Sequence, residues 1–200
     1  MRFNSILLCL ALGGATPAMA QEAAVGVKAG INSANVKFEG DSANVSFDRR
    51  TGFVGGLFVV VPAKGRVALQ AEALFSQKGA KINESGATGK VELDYLDIPL
   101  LLRVSSPAAP VSFHVFAGPS FGVRLRAHST GTFEGQTSDE DISDQVKRGD
   151  VGLVAGAGLD FGRLTIDGRE TWGMSDINKE NDPELKIKNR VFSVMVGVRF

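Results

Sequence analysis

The sequence closes on Val191-Phe192-Ser193-Val194-Met195-Val196-Gly197-Val198-Arg199-Phe200, and this stretch decides the fold. Side chains in a β-strand alternate between two faces, so every second residue shares a face. One face is wholly apolar and carries Phe192, Val194, Val196, Val198 and Phe200. The other face carries Ser193, Met195, Gly197 and Arg199. The stretch therefore predicts a strand with one apolar side and one mixed side.

Seven earlier segments share this period of two, at about 24–38, 51–61, 67–78, 91–104, 111–127, 150–161 and 164–174. Their connections alternate between short ones (62–66, 105–110, 162–163) and long polar ones (39–50, 79–90, 128–149, 175–185). A tilted strand needs roughly 9–11 residues to cross a bilayer, and the segments are long enough. We therefore expect an all-β, eight-stranded antiparallel up-and-down transmembrane β-barrel, with short periplasmic turns and longer extracellular loops.

The N-terminus and the composition indicate export. Residues 1–20 have the pattern of a cleaved signal peptide, with Arg2, an apolar core and the cleavage site Ala18-Met19-Ala20. The barrel domain would then span 21–200, without Cys9, the single cysteine. Disulfides and cysteine-bound metals are therefore not expected. The net charge of zero gives no basic excess for nucleic acid. After the leader, no uninterrupted apolar stretch is long enough for a transmembrane helix.

The second face of the segments distinguishes a membrane barrel from a soluble one such as a lipocalin. A membrane barrel turns its apolar face outward and its polar face into the lumen. Here the second face is rich in glycine, which suits the crowded lumen of an eight-stranded barrel. Because unpaired buried charges are costly, we expect paired ions in a closed lumen. The predicted lumen charges are Lys28, Arg103, Arg124, Arg126, Arg169, Arg199, Glu72, Asp97, Asp160 and Asp167.

Two features run against the membrane interpretation. With one Tyr and one Trp in the chain, the aromatic girdles must consist mainly of Phe. Glu170 also falls on the apolar face of the seventh segment, so it must lie near the headgroups unless the register slips there. Pro99 lies inside the fourth segment, where it is tolerable only at a bulge or a locally unpaired site.

The sequence resembles the PorT-type outer-membrane β-barrel family. The most specific matches are Tyr95-Leu96-Asp97-Ile98-Pro99-Leu100 and Ala117-Gly118-Pro119, and the similarity extends over nearly all of 21–200. Glu170 departs from the family pattern, which usually has Tyr after the Arg. The resemblance implies an OmpA-like barrel in a Gram-negative outer membrane. It also implies that the barrel-assembly machinery recognises the terminal strand through Phe192, Val194, Val196, Val198 and Phe200. A role in secretion, known for the named member, need not transfer.

Four places in the sequence are candidates for chemistry: two histidines, an acidic stretch and a glycine-rich stretch. His114 is expected in the lumen as a structural residue, whereas His128 is expected at the outer rim without a matching acid or nucleophile. The acidic stretch 138–144 lacks the glycine and helices of a calcium loop. Gly156-Ala157-Gly158 precedes a strand rather than a helix, so it does not match a nucleotide loop. We expect no catalytic residue, metal site or cofactor.

Three functions remain open from the sequence: a structural or surface-interaction barrel, a narrow pore or transport- and secretion-associated barrel, and a lipid-modifying enzyme. The first is preferred. The expected partners are outer-membrane lipid and, during biogenesis, the assembly machinery. A monomer is expected, and the extracellular partner is unknown.

Overall fold

The computed structural model describes residues 23–39, 48–84, 87–107, 109–133, 136–144, 146–175 and 186–200. These residues are almost entirely β-structure. The strands are β1 Ala24–Glu39, β2 Asp48–Lys64, β3 Val67–Glu84, β4 Ala87–Ser105, β5 Val111–Phe133, β6 Gln136–Asp141, β7 Gly149–Phe161, β8 Leu164–Gly173 and β9 Lys186–Arg199. In this part of the chain, no helix is long and apolar enough to span a membrane.

Eight of these strands form a closed ring. Antiparallel pairing runs β4-β3-β2-β1-β9-β8-β7-β5, and the pairing of β4 with β5 closes the circle. The short strand β6 stands outside the ring and pairs with the far part of β5. The predicted eight-stranded antiparallel barrel is thus confirmed. We call its two ends the turn end, with the turns at 65–66 and 162–163, and the loop end.

The barrel is apolar outside and polar inside. Ile31 and Leu57 are 60% and 58% exposed on the outer wall, whereas Lys28 and Glu72 are only 3% and 4% exposed. The closing strand follows the predicted alternation, since Phe192, Val194 and Val196 are exposed and the residues between them are buried. Small apolar clusters fill the lumen between its polar groups, such as Val54, Leu74 and Met195.

Two of the predicted long loops are largely strand. β3 and β4 extend as a hairpin through 79–90, and β5 continues to Phe133 before β6 returns beside it. The residues 128–133 and 136–141 were predicted as loop because they lack an apolar stripe. Such a stripe is needed only where one face of a strand meets lipid, and Thr favours strands in water as well. The signal peptide and most of the connections 39–50 and 175–185 lie outside the described residues.

A bulge in β5 places one of the predicted lumen residues on the outer face instead. Asp94 is opposite Arg126 and Tyr95 is opposite Arg124, so Leu125 has no partner on β4. Because side chains alternate, the extra residue shifts all later side chains to the other face. Arg126 is therefore exposed on the outer wall, and Ala127 is fully buried in its place. The prediction that Arg126 faces the lumen was wrong.

The structure accommodates both Pro99 within β4 and Glu170 on the apolar face of β8. The β3–β4 register omits Ile98 and Pro99, so Pro99 is unpaired toward β3, whereas it lies opposite Ser120 on β5. The registers of β8 with both neighbours run without a shift, so Glu170 stays on the outer face and the suggested slip is wrong. Glu170 accepts a hydrogen bond from Arg190 Nε on β9. It lies three residues before the loop end of β8, which limits the cost of a charge on this wall.

Candidate functional site

The lumen contains three layers of paired polar side chains along the barrel axis. The turn-end layer consists of Gln70, Arg103, His114 and Asp160. The central layer consists of Lys28, Glu72, Asp167 and Arg169. The loop-end layer consists of Lys78, Tyr95, Asp97, Asp150 and Asn189.

The central layer joins three strands across the lumen. Lys28 Nζ on β1 lies 2.9 Å from Glu72 Oε1 on β3 and 2.8 Å from Asp167 Oδ2 on β8. Arg169 Nη1 donates to the second oxygen of Glu72 at 2.6 Å. The side chains of these four residues are at most 3% exposed. Two cations and two carboxylates therefore neutralise one another out of contact with bulk water, as buried charges require.

The turn-end layer is centred on Arg103. Its guanidinium donates to Gln70 Oε1 at 3.0 Å, lies 3.0 Å from His114 Nδ1 and is ion-paired with Asp160. Gln70 donates in turn to Glu72 Oε1 at 2.6 Å, which links this layer to the central one. His114 is fully buried and its ring stacks on Phe116, so the structural role predicted for it fits its position.

The loop-end layer is organised by Lys78. Its ammonium lies 2.9 Å from Asp97 Oδ1, 3.9 Å from Asp150 Oδ2 and 4.5 Å from the ring centroid of Tyr95. Asn189 donates to Asp150 Oδ2 at 2.9 Å. An added methyl group at Gly122 would crowd the side chains of Asp97, Tyr95 and Asp150, so the glycine leaves space where these groups converge.

Neutral polar side chains lie between the central layer and the loop-end layer. Ser193 Oγ donates to Asn32 Oδ1 at 2.7 Å, and Asn32 Nδ2 donates to Ser76 Oγ at 3.0 Å. The cavity beside them measures about 20 Å³ and touches Lys78, Asp97 and Arg169. A volume of this size holds about one water molecule. This cavity is therefore too small to hold a solute larger than water.

The segment after β6 covers the lumen at the loop end. Ile142 and Val146 pack on a buried cluster of Leu93, Tyr95 and Ala127. Arg124 holds this segment from the lumen side, because its Nη2 donates to the carbonyl oxygen of Ser143 at 2.8 Å. Ile142, Ser143 and Val146 therefore lie against side chains at the loop-end mouth of the lumen.

Most of the predicted lumen charges lie in the layers. Buried as expected are Lys28, Glu72, Asp97, Arg103, Asp160, Asp167 and Arg169. Arg124 is half-buried beneath the covering segment, and Arg199 lies at the turn-end mouth, 3.2 Å from Asp160 Oδ1. The sequence-based list omitted Lys78 and Asp150. The alternation of side chains along a strand predicts a lumen position for both, because residues an even number of positions apart share a face. Lys78 follows Glu72 by six residues, and Asp150 precedes Gly152 by two.

An unpredicted His–Asp pair lies on the loop-end hairpin. His128 Nε2 on β5 is 3.4 Å from Asp139 Oδ1 on β6, and Thr130 Oγ1 donates to the same oxygen at 3.4 Å.

The Ser143 hydroxyl and backbone N–H hold the pKa of Asp141, at the end of β6, below its usual value. In the described ranges, no group of three or more His, Cys, Asp or Glu residues could hold a metal ion.

Comparisons with solved structures give bacterial proteins at low sequence identity. The attachment invasion locus protein Ail of Yersinia pestis is 18% identical with a TM-score of 0.47, and the alignment covers 90% of this chain and 99% of that one. Neisserial surface protein A is 14% identical with a TM-score of 0.48, covering 90% and 100%. The outer membrane protease OmpT of Escherichia coli is 9% identical with a TM-score of 0.42, covering 91% and 98%.

No curated protein matches the sequence. A family model described as "outer membrane protein beta-barrel domain" matches residues 19–179, which is most of the chain. The ring of eight strands, the apolar outer wall and the paired charges inside agree with that description. This chain belongs to the outer membrane protein β-barrel domain family.

Proposed function

We propose that the protein is a structural, surface-interacting barrel of the outer membrane, with a closed lumen and no catalytic activity. The central layer is the observation that carries this proposal. Lys28 ties β1 to both β3 and β8, so a solute would have to break buried ion pairs to pass. Breaking one buried pair costs on the order of 3–5 kcal/mol. The cavity beside the loop-end layer, of about 20 Å³, is too small to pass a solute larger than water, which supports the proposal.

The loop end is proposed to face the outside and the turn end the periplasm. Barrels of this class have short periplasmic turns and longer extracellular connections. The β5–β6 hairpin supports this orientation, because every residue of β6 is exposed and three of its six are acidic. The hairpin is the surface we propose for interaction with other molecules. In this proposal the pair His128–Asp139 fastens β6 to β5 rather than carrying out catalysis.

We also propose that the chain is of the PorT type and that it assembles as a monomer. Three residues of its most specific motif, Tyr95, Asp97 and Pro99, are buried on the lumen side of β4. The motif would then preserve the loop-end layer rather than a binding site. Phe200 is 75% exposed beside the first strand, so it is accessible to an assembly factor. Recognition of the closing strand by that machinery stays a prediction.

Conductance tests the closed lumen. The purified wild-type barrel, inserted in a planar bilayer under voltage clamp, is expected to give no steady current. Its folded state is verified by heat-modifiable migration on an SDS gel, where the folded barrel runs differently when unheated. A stable open channel would overturn the proposal and support the narrow pore or transport function instead.

A separate experiment tests the absence of lipid-modifying catalysis. The mass spectrum of lipid A should be the same in cells with and without the protein.

A further inference from the structure

The turn-end mouth of the barrel contains a second, much larger cavity. It measures about 400 Å³, within the usual size range of small-molecule pockets. We call it the turn-end vestibule, and the residues of its lining that matter here are Arg66, Arg103, Ser105, Asp160 and Arg199. It lies on the outer side of the turn-end layer, away from the central layer. A molecule could therefore enter it without disturbing the paired charges of the central layer.

The charged groups of the vestibule are unbalanced. Three arginines and one aspartate line it, which leaves a net charge of +2. Arg103 and Arg199 share the single carboxylate of Asp160. Arg66 is exposed on the β2–β3 turn and has no ion-pair partner among the residues that the structure describes. Such an excess of cationic donors in one cavity favours an anion of about two negative charges.

Donor groups remain available for such an anion. Arg199 uses only Nη2, which contacts Asp160 Oδ1 at 3.2 Å and donates to the Gly162 carbonyl oxygen at 3.0 Å. Its Nε and Nη1 have no partner in the described part of the chain. The Ser105 hydroxyl oxygen receives only a long contact of 3.5 Å from Arg103 Nε, so its own proton is free to be donated. Guanidinium forks and hydroxyls are the groups that bind phosphate oxygens in proteins.

We propose that the turn-end vestibule binds a phosphate monoester or diester group, held by Arg66 on the β2–β3 turn and by Arg199 at the end of β9, with Ser105 as an additional donor. A phosphate monoester carries close to two negative charges at neutral pH, which matches the excess, whereas a diester carries one and compensates half of it. The group could belong to a soluble organic phosphate or to the headgroup of an anionic lipid. This site is independent of the proposed structural function, because it lies outside the central layer.

Two binding measurements distinguish the sources. Titration calorimetry of the barrel in dodecyl maltoside with glycerol 3-phosphate measures binding of a soluble phosphate. Native mass spectrometry of the barrel released from nanodiscs of mixed phosphatidylglycerol and phosphatidylcholine measures retention of a lipid headgroup. Binding in the first measurement alone identifies a soluble ligand. Selective retention of phosphatidylglycerol identifies a lipid, and either result supports the site.

Substitutions at the same end of the barrel provide the matched control. Arg66→Gln and Arg199→Gln are each expected to weaken binding at least tenfold, since a charge-assisted hydrogen bond contributes about 1.5–3 kcal/mol. Lys64→Gln, at the end of β2, and Arg163→Gln, in the β7–β8 turn, each remove a charge beside the vestibule without removing a residue of its lining, and should change binding less than threefold. Heat-modifiable migration verifies that each variant is folded. Equal losses in all four variants, or no binding of either probe to the wild type, would overturn the proposal.

Discussion

Replacing Glu72 by Gln is expected to lower the free energy of unfolding of the barrel by about 3–5 kcal/mol. Glu72 is the only carboxylate that contacts both cations of the central layer, at 2.9 Å from Lys28 and 2.6 Å from Arg169. The variant leaves two buried cations with Asp167 alone, so one positive charge is uncompensated in the lumen. Unfolding by urea in lipid vesicles, followed by heat-modifiable migration, measures the change.

A second substitution tests whether charge imbalance is the cause. Arg169→Met in the Glu72→Gln background removes the uncompensated cation next to Met195, and leaves Lys28 paired with Asp167. This double variant should recover more than half of the lost stability. Glu140→Gln makes the same chemical change on exposed β6 and should stay within about 0.5 kcal/mol of the wild type. If Glu72→Gln were equally harmless, or the double variant no better than the single one, the paired-layer interpretation would be wrong.

Gly118→Ala is expected to destabilise the barrel by about 1–3 kcal/mol, and to reduce the amount that folds. A methyl group at Gly118 on β5 would clash with the carbonyl oxygen of Leu100 and with the Cα of Leu101 on β4. These are backbone atoms, so a rotamer change cannot relieve the overlap. The β4–β5 pairing would have to separate where the described register already omits Leu100 and Leu101.

The control for this change lies further along the same strand. A methyl group at Gly131 would meet nothing within 4 Å, so Gly131→Ala should leave stability unchanged. The fraction of unheated protein that migrates as folded barrel, measured for both variants after refolding, gives the comparison. Similar folded fractions for the two variants would show that the close approach of β4 and β5 is not a constraint.

The membrane-facing part of the fold was predictable from the sequence because lipid imposes a strict pattern. An outer wall in hydrocarbon must be apolar at every second residue, so β9 and β7 could be identified with their correct faces. The same parity placed Lys28, Glu72 and Arg169 in the lumen. The identity of ion partners did not follow from parity, because it depends on which strands meet across the lumen.

The wrong and missing predictions concern parts of the chain on which lipid imposes no apolar pattern. The extension of β5 and the strand β6 have water on their exposed faces, so no apolar stripe marks them. Arg126 was misplaced because a one-residue bulge at Leu125 leaves no signal in the alternation of side chains before it. The vestibule could not be predicted either, since Arg66, Arg103 and Arg199 come from separate parts of the sequence.

In this barrel the apolar face of each strand meets lipid and the other face lines the lumen. Adjacent residues of β2 test it directly, because Leu57 is 58% exposed on the outer wall and Phe58 is 2% exposed in the lumen. Leu57→Trp and Phe58→Trp are each made with Trp172→Phe, which removes the only native tryptophan. Their fluorescence is then compared in vesicles of brominated and ordinary phosphatidylcholine. Strong quenching at position 57 and little at 58 is predicted, whereas equal or reversed quenching would contradict the inside-out barrel.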